Sequence, residues 1–105
     1  MKKNLKLDAL FIGAHPDDIE ITSSGTLLKF VQAGKKTGIL DLTRGELSTR
    51  GTPESRKTET QNASKILGVS VRENLGLPDG NIENTYENRL KIIEIIRKYK
   101  PSIIF

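Results

Sequence analysis

Cysteine and tryptophan are both missing from these 105 residues, and histidine occurs once. The lack of cysteine excludes disulfides, thiolate metal sites and a cysteine nucleophile. It fits a reducing compartment, and a cytoplasmic setting is expected. Aromatic residues make up only 5% of the chain and do not alternate with the basic ones, so a base-stacking surface is not expected. No apolar run approaches the roughly 18 residues that a bilayer span requires, so no membrane partner is expected. The start, Met1-Lys2-Lys3-Asn4, is basic, but charge interrupts the stretch after it and no signal-peptide core follows. There is no internal repeat, low-complexity tract or linker.

The chain carries a formal net charge of +4. A positive balance raises the question of nucleic acid. The basic residues are scattered, however, in pairs such as Lys35 and Lys36, Arg56 and Lys57, or Lys98 and Lys100. No nucleic-acid partner is expected.

The length allows a single domain. Strand-like apolar runs alternate with helical patterns, which argues for βαβ units and a parallel sheet. Strands are expected at 8–13, 37–43, 71–75 and 102–105. A first helix is expected at 23–33, capped by Ser23 or Ser24 and ended by Gly34, with Leu27, Phe30 and Val31 as its apolar stripe. A second should begin after Thr52, with Pro53 in its first position and Glu54 favouring the dipole. It should end at Gly68 and bury Ala63, Ile66 and Leu67. The third is expected between an Asn84–Glu87 capping box and Pro101. Its Leu90, Ile92, Ile93, Ile95 and Ile96 give a broad apolar face, and Tyr86 and Tyr99 are read as core or rim. The expected fold is α/β: a Rossmann-like parallel sheet of order 3-2-1-4, with helices on both faces.

Ala14-His15-Pro16-Asp17-Asp18-Ile19-Glu20 stands at the first strand-to-helix junction. In open α/β sheets, ligands bind outside the carboxyl ends of the strands. A His and an Asp spaced i, i+3 across a turn can place two ligands on one metal ion. The adjacent Asp points elsewhere and is free to move protons. The plain alternative is a set of capping or surface residues.

Other segments lead to the same edge. The polar loop from Arg44 to Thr52 leaves the end of the second strand and reads either as functional or as a surface excursion. Arg56 lies seven residues before Ala63, on the inward face of the second helix in its first turn. It pairs with a buried carboxylate or is aimed at a ligand. Leu77-Pro78-Asp79-Gly80 is a turn at the end of the third strand, and turn chemistry alone accounts for Asp79.

With these motifs in register, the chain resembles the LmbE-like (PIG-L) zinc deacetylase family. The resemblance rests on the His15-Pro16-Asp17-Asp18 stretch, Gly25-Thr26, Leu42-Thr43-Arg44-Gly45-Glu46, Gly51-Thr52-Pro53-Glu54 with Arg56, and Leu75-Gly76-Leu77-Pro78-Asp79-Gly80. The branch it looks most like acts on an N-acetylglucosamine-malate conjugate in bacillithiol biosynthesis. The resemblance implies a hydrolase that takes acetyl from a small N-acetylglucosaminyl compound with Zn2+ as cofactor. His15 and Asp18 would be metal ligands, and Asp17 the general base for the attacking water. Arg56, Asp79 and Glu46 would contact substrate.

The family's third metal ligand and its histidine acid sit in a segment after the fourth strand, and this sequence has no second histidine. The ending Ile103-Ile104-Phe105 is apolar. The expectation is therefore an N-terminal portion of one deacetylase domain, truncated after the fourth strand. It would bind zinc weakly and turn over poorly alone. Two other readings compete. One is a Rossmann-like nucleotide-binding module, against which the first turn lacks Gly-x-Gly-x-x-Gly and carries two aspartates that repel a pyrophosphate. The other is a non-catalytic remnant that self-associates, as a homo-oligomer, through its open sheet edge.

Overall fold

The alternation of apolar runs with amphipathic stretches folds as the period predicts. In a computed structural model that describes residues 5–47 and 51–105, the order is β1 (Ala9–Gly13), α1 (Asp18–Gln32), β2 (Thr37–Thr43), α2 (Pro53–Leu67), β3 (Val71–Leu77), α3 (Tyr86–Tyr99) and β4 (Ile103–Ile104). Lys2, Lys3 and the Ser48-Thr49-Arg50 part of the polar loop lie outside the described residues. The strands form one parallel sheet of order β3-β2-β1-β4, as expected.

Side chains alternate across the two central strands, and each face builds its own core. On one face Ala9, Phe11 and Ile39 pack with Ile19 and Leu27 of α1, and Leu67 of α2 closes the edge. On the other, Leu10 and Leu40 pack with Leu7 and with Ile95 and Tyr99 of α3. Helices therefore cover both faces. Gly38 sits where no side chain fits: a Cβ there would lie 2.5 Å from Leu7 Cδ1 and 2.8 Å from Val71 Cγ1. The Phe105 ring stacks on Phe11 at 4.7 Å between centroids, and Ile12 N–H donates to the Phe105 carbonyl at 2.9 Å.

The structure corrects several expectations. Helix α1 begins at Asp18, five residues before Ser23. Ser23, Ser24 and Gly25 are weak helix formers and read as a cap region. They are instead carried inside the helix, because Ile19 and Leu27, eight residues apart, bury on one face. Ile66 is 84% exposed rather than buried. Helix α2 turns Thr60, Ser64 and Leu67 inward, and Ile66 lies about 100° round the axis from Leu67. The N-cap of α3 is Thr85, whose side chain accepts from Asn88 N–H at 3.1 Å, and not Asn84. The apolar face of α3 is covered only in part: Ile95 and Tyr99 are buried, while Leu90, Ile93 and Tyr86 are exposed.

Strand β3 runs two residues further than expected, and the extension matters for the site. Asp41 pairs with Asn74, but Thr43 pairs with Leu77, so two residues of β3 oppose Leu42 alone. This is a bulge, with Gly76 supplying the positive φ of 66° that it needs. Asn74 fastens it, donating to the Thr43 carbonyl and accepting from Gly76 N–H, both at 2.7 Å. Beyond the bulge the chain turns at Pro78-Asp79.

Candidate active-site edge

The first strand ends at Gly13, and the next residues turn back into α1. The turn is closed reciprocally. Asp18 N–H donates to the His15 carbonyl at 3.1 Å, and His15 N–H donates to Asp18 Oδ2 at 3.0 Å. Asp17 is the N-cap of α1 with φ 107°, in the left-handed region, and its side chain makes no cap hydrogen bond. The carboxylates of Asp17 and Asp18 are thereby given different jobs. Asp18 is tied to the His15 turn, while Asp17 is exposed and lines a cleft of about 580 Å³ with Pro16, Glu20, Gly51 and Arg56.

His15 is held from both sides. Its Nε2 lies 2.7 Å from Asp79 Oδ1, and its Nδ1 lies 3.5 Å from Asp18 Oδ2. The hydrogen bond to Asp79 raises the imidazole pKa above its ordinary value against the opposing effect of burial. Asp79 is pushed the other way, chiefly by the Leu47 N–H that donates to its Oδ2 at 2.9 Å. Asp79 N–H in turn donates to Glu46 Oε2 at 2.9 Å. The loop after β2 and the turn after β3 therefore interlock around one histidine. The bulge at Gly76 sets where Asp79 stands, since it fixes how far β3 has advanced when the turn begins.

Arg56 lies in the first turn of α2, as the helical register predicts, and it is half-buried. Thr52 caps that helix in a capping box with Ser55, by bonds of 3.0 and 2.9 Å. The guanidinium rests against Gly45, where a Cβ would stand 2.9 Å from Nη2, and Nη2 reaches the Pro16 carbonyl at 3.4 Å. Among the described residues it pairs with no carboxylate, and its buried Nε has no hydrogen-bond partner.

The donor set suits a metal in part. Two ligands on a tetrahedral ion with bonds of ~2.0–2.1 Å stand about 3.3 Å apart. The His15 Nδ1 to Asp18 Oδ2 separation of 3.5 Å matches that spacing. With Nε2 donating to Asp79, the neutral imidazole presents a lone pair at Nδ1, the pattern in which an outer carboxylate orients a ligating histidine. Among the described residues no group of three or more His, Asp or Glu side chains is placed to hold a metal. The chain thus offers a donor pair, where catalytic zinc ordinarily takes three protein ligands.

Sequence reasoning found each residue of this edge singly but missed its wiring. The pairing of His15 with Asp79 spans 64 residues. It also missed Arg72 and Asp41, a buried ion pair behind the turn. The signal available was a charged residue inside each of two strands, since buried charges come paired.

Fold and edge together define a Rossmann-like α/β protein whose acidic and histidine groups gather at the carboxyl ends of the strands. The family described as PIG-L, GlcNAc-PI de-N-acetylase, matches residues 10–105, and the chain belongs to it. A conserved protein of Thermus thermophilus has a crystal structure that superposes with a TM-score of 0.90 at 47% identity, over 94% of this chain and 45% of that one. A diacetylchitobiose deacetylase of Thermococcus kodakarensis is 33% identical over 102 residues, covering 90% of this chain and 38% of the relative. A 1D-myo-inositol 2-acetamido-2-deoxy-alpha-D-glucopyranoside deacetylase of Kineococcus radiotolerans is 37% identical over 82 residues, covering 68% and 23%. The chain therefore spans less than half the length of each. No helix among the described residues is long and apolar enough to cross a membrane.

Proposed function

We propose that this chain forms the N-terminal part of a zinc-dependent N-deacetylase domain that hydrolyses the acetamide of a small N-acetylglucosaminyl conjugate. An N-acetylglucosaminyl-malate compound is the specific substrate to test first. The observation that carries the reading is the His15 and Asp18 donor pair, 3.5 Å apart, with the Asp17 carboxylate, which makes no cap hydrogen bond, beside it in the chain. The deacetylase names of the relatives support the reaction class.

Bound zinc would supply a Lewis acid for the acetyl carbonyl and lower the pKa of water to ~7. His15 and Asp18 would hold it, and further ligands would come from outside the pair. Asp17 takes the proton of the attacking water, because its carboxylate is exposed and committed to no cap. Asp79 holds the His15 ring through Nε2 and fixes which nitrogen faces the metal side. Arg56, half-buried at the wall of the cleft, binds the sugar or its acidic substituent. Glu46 sits beside Asp79 and meets the sugar hydroxyls.

Zinc calorimetry on the chain and on His15→Ala, followed by an acetate-release assay on an N-acetylglucosaminyl substrate with Asp17→Asn as control, tests this reading. Weak binding that disappears in His15→Ala, and slow release that disappears in Asp17→Asn, are expected. Zinc binding indifferent to His15 would overturn the metal assignment. Tight stoichiometric binding with rapid turnover would overturn the need for further ligands.

A further inference from the structure

Behind the His15 turn lies a cluster that the proposed chemistry does not use. Arg72, on β3, has a side chain 8% exposed, and each of its five N–H donors has an acceptor. Nε and Nη2 hold Asp41 of β2 at 2.8 and 3.0 Å. Nη1 and Nη2 hold Glu20 of α1 at 3.0 and 3.3 Å. Nη1 also reaches Ser64 of α2 at 3.3 Å. One guanidinium thus ties two strands to two helices. The Asp41 side chain is 2% exposed and that of Glu20 21%.

We infer that the Glu20–Arg72–Asp41 clamp is a positioning device for the active edge: it fixes the first turn of α1, and so places Asp17 and Asp18 relative to His15. This rests on the functional reading above. Three observations carry it. Glu20 stands in the first turn, two residues after Asp18 and three after Asp17. That helix start has no side-chain cap of its own, and Asp17 holds a left-handed backbone that the surroundings must maintain. Beside the Asp18–His15 bond, the described side chain in that turn tethered to the sheet by charge is Glu20. A bidentate fork also resists rotation of the helix about its axis, which a single hydrogen bond does not. A displacement of about 1 Å at a reacting centre can slow a reaction by about a hundredfold.

The test uses the whole chain with Glu20→Gln and Arg72→Lys, which keep side-chain length while removing the charge or the fork. Tyr99→Phe is the control, since it removes the hydrogen bond to Glu73 on the opposite face of the sheet. Two quantities are read: amide exchange at Ile21, whose N–H donates to the Asp17 carbonyl at 3.0 Å, and zinc affinity by calorimetry. Faster exchange at Ile21 with unchanged exchange in the last turn of α1, and zinc affinity lower by about tenfold, are expected for both clamp variants and not for the control. Unchanged exchange at Ile21 overturns the clamp. Faster exchange with unaltered zinc affinity, or an equal drop in affinity for Tyr99→Phe, shows a purely structural ion pair and overturns the positioning role. Wild-type zinc binding that ignores His15 overturns the functional reading, and with it the positioning role, while the exchange data still report whether the clamp holds the turn.

Discussion

Replacing Asp79 by Asn keeps the size and planar shape of the side chain and one carbonyl oxygen, so Leu47 N–H retains an acceptor. The change removes the negative charge 2.7 Å from His15 Nε2, with two opposing effects. Without the carboxylate, the ring is less firmly oriented and Nδ1 is a poorer ligand; outer-sphere partners of this kind are worth roughly 10–100-fold in metal affinity. The His15 side chain is 43% exposed, so water substitutes in part, and the lower end, about tenfold, is expected. Against that, Asp79 is the main cause of the raised His15 pKa. A proton held more strongly competes with metal at higher pH, so wild-type affinity falls as pH drops through that raised value. Removing the charge lowers the competing pKa, and the variant is penalised less in acid. Competition titration of zinc against a chromophoric chelator should therefore show about a tenfold deficit for Asp79→Asn near pH 8. The deficit should narrow near pH 6. Equal affinities at both pH values, or a deficit that widens in acid, would show that the Asp79 charge does not act on the metal through His15.

Two further outcomes test the packing. Thr85→Ala should destabilise the chain by about 1 kcal/mol in urea denaturation by removing the α3 cap, whereas Asn84→Ala should change stability by no more than ~0.5 kcal/mol. The reverse order would restore Asn84 as the capping residue. Gly38→Ala should cost ~1–3 kcal/mol, because the new methyl meets Leu7 and Val71 inside contact distance. An unchanged urea midpoint would mean that both side chains swing aside freely.

The architecture was legible because its signals are local. Apolar runs such as Leu10-Phe11-Ile12 stop at glycine, and Thr52-Pro53 announces a helix start without reference to anything distant. The His15 turn was legible for the same reason, being complete within four residues. What could not be read depends on strand register. Asp79 meets His15 after a bulge at Gly76 has shifted β3 by one residue against β2, and no propensity encodes that offset. The early start of α1 was hidden by Ser23-Ser24-Gly25, where burial of Ile19 outweighs the local preference for a cap. Ile66 misled because hydropathy alone does not say that the sheet beneath α2 presents Arg72 and Asp41, against which Ser64 faces inward.

The backbone at Asp17 has an evolutionary side. A left-handed conformation in a residue with a Cβ costs of order 1–3 kcal/mol, and glycine would adopt it freely. The position proposed to move the proton is thus one where the fold would gain by surrendering the carboxylate. A library of this chain sorted for thermal resistance alone would enrich Asp17→Gly, and each enriched clone would fold better and lack the base. Sorting on stability and on acetate release should pull position 17 in opposite directions, so a carboxylate there is retained against the preference of the backbone.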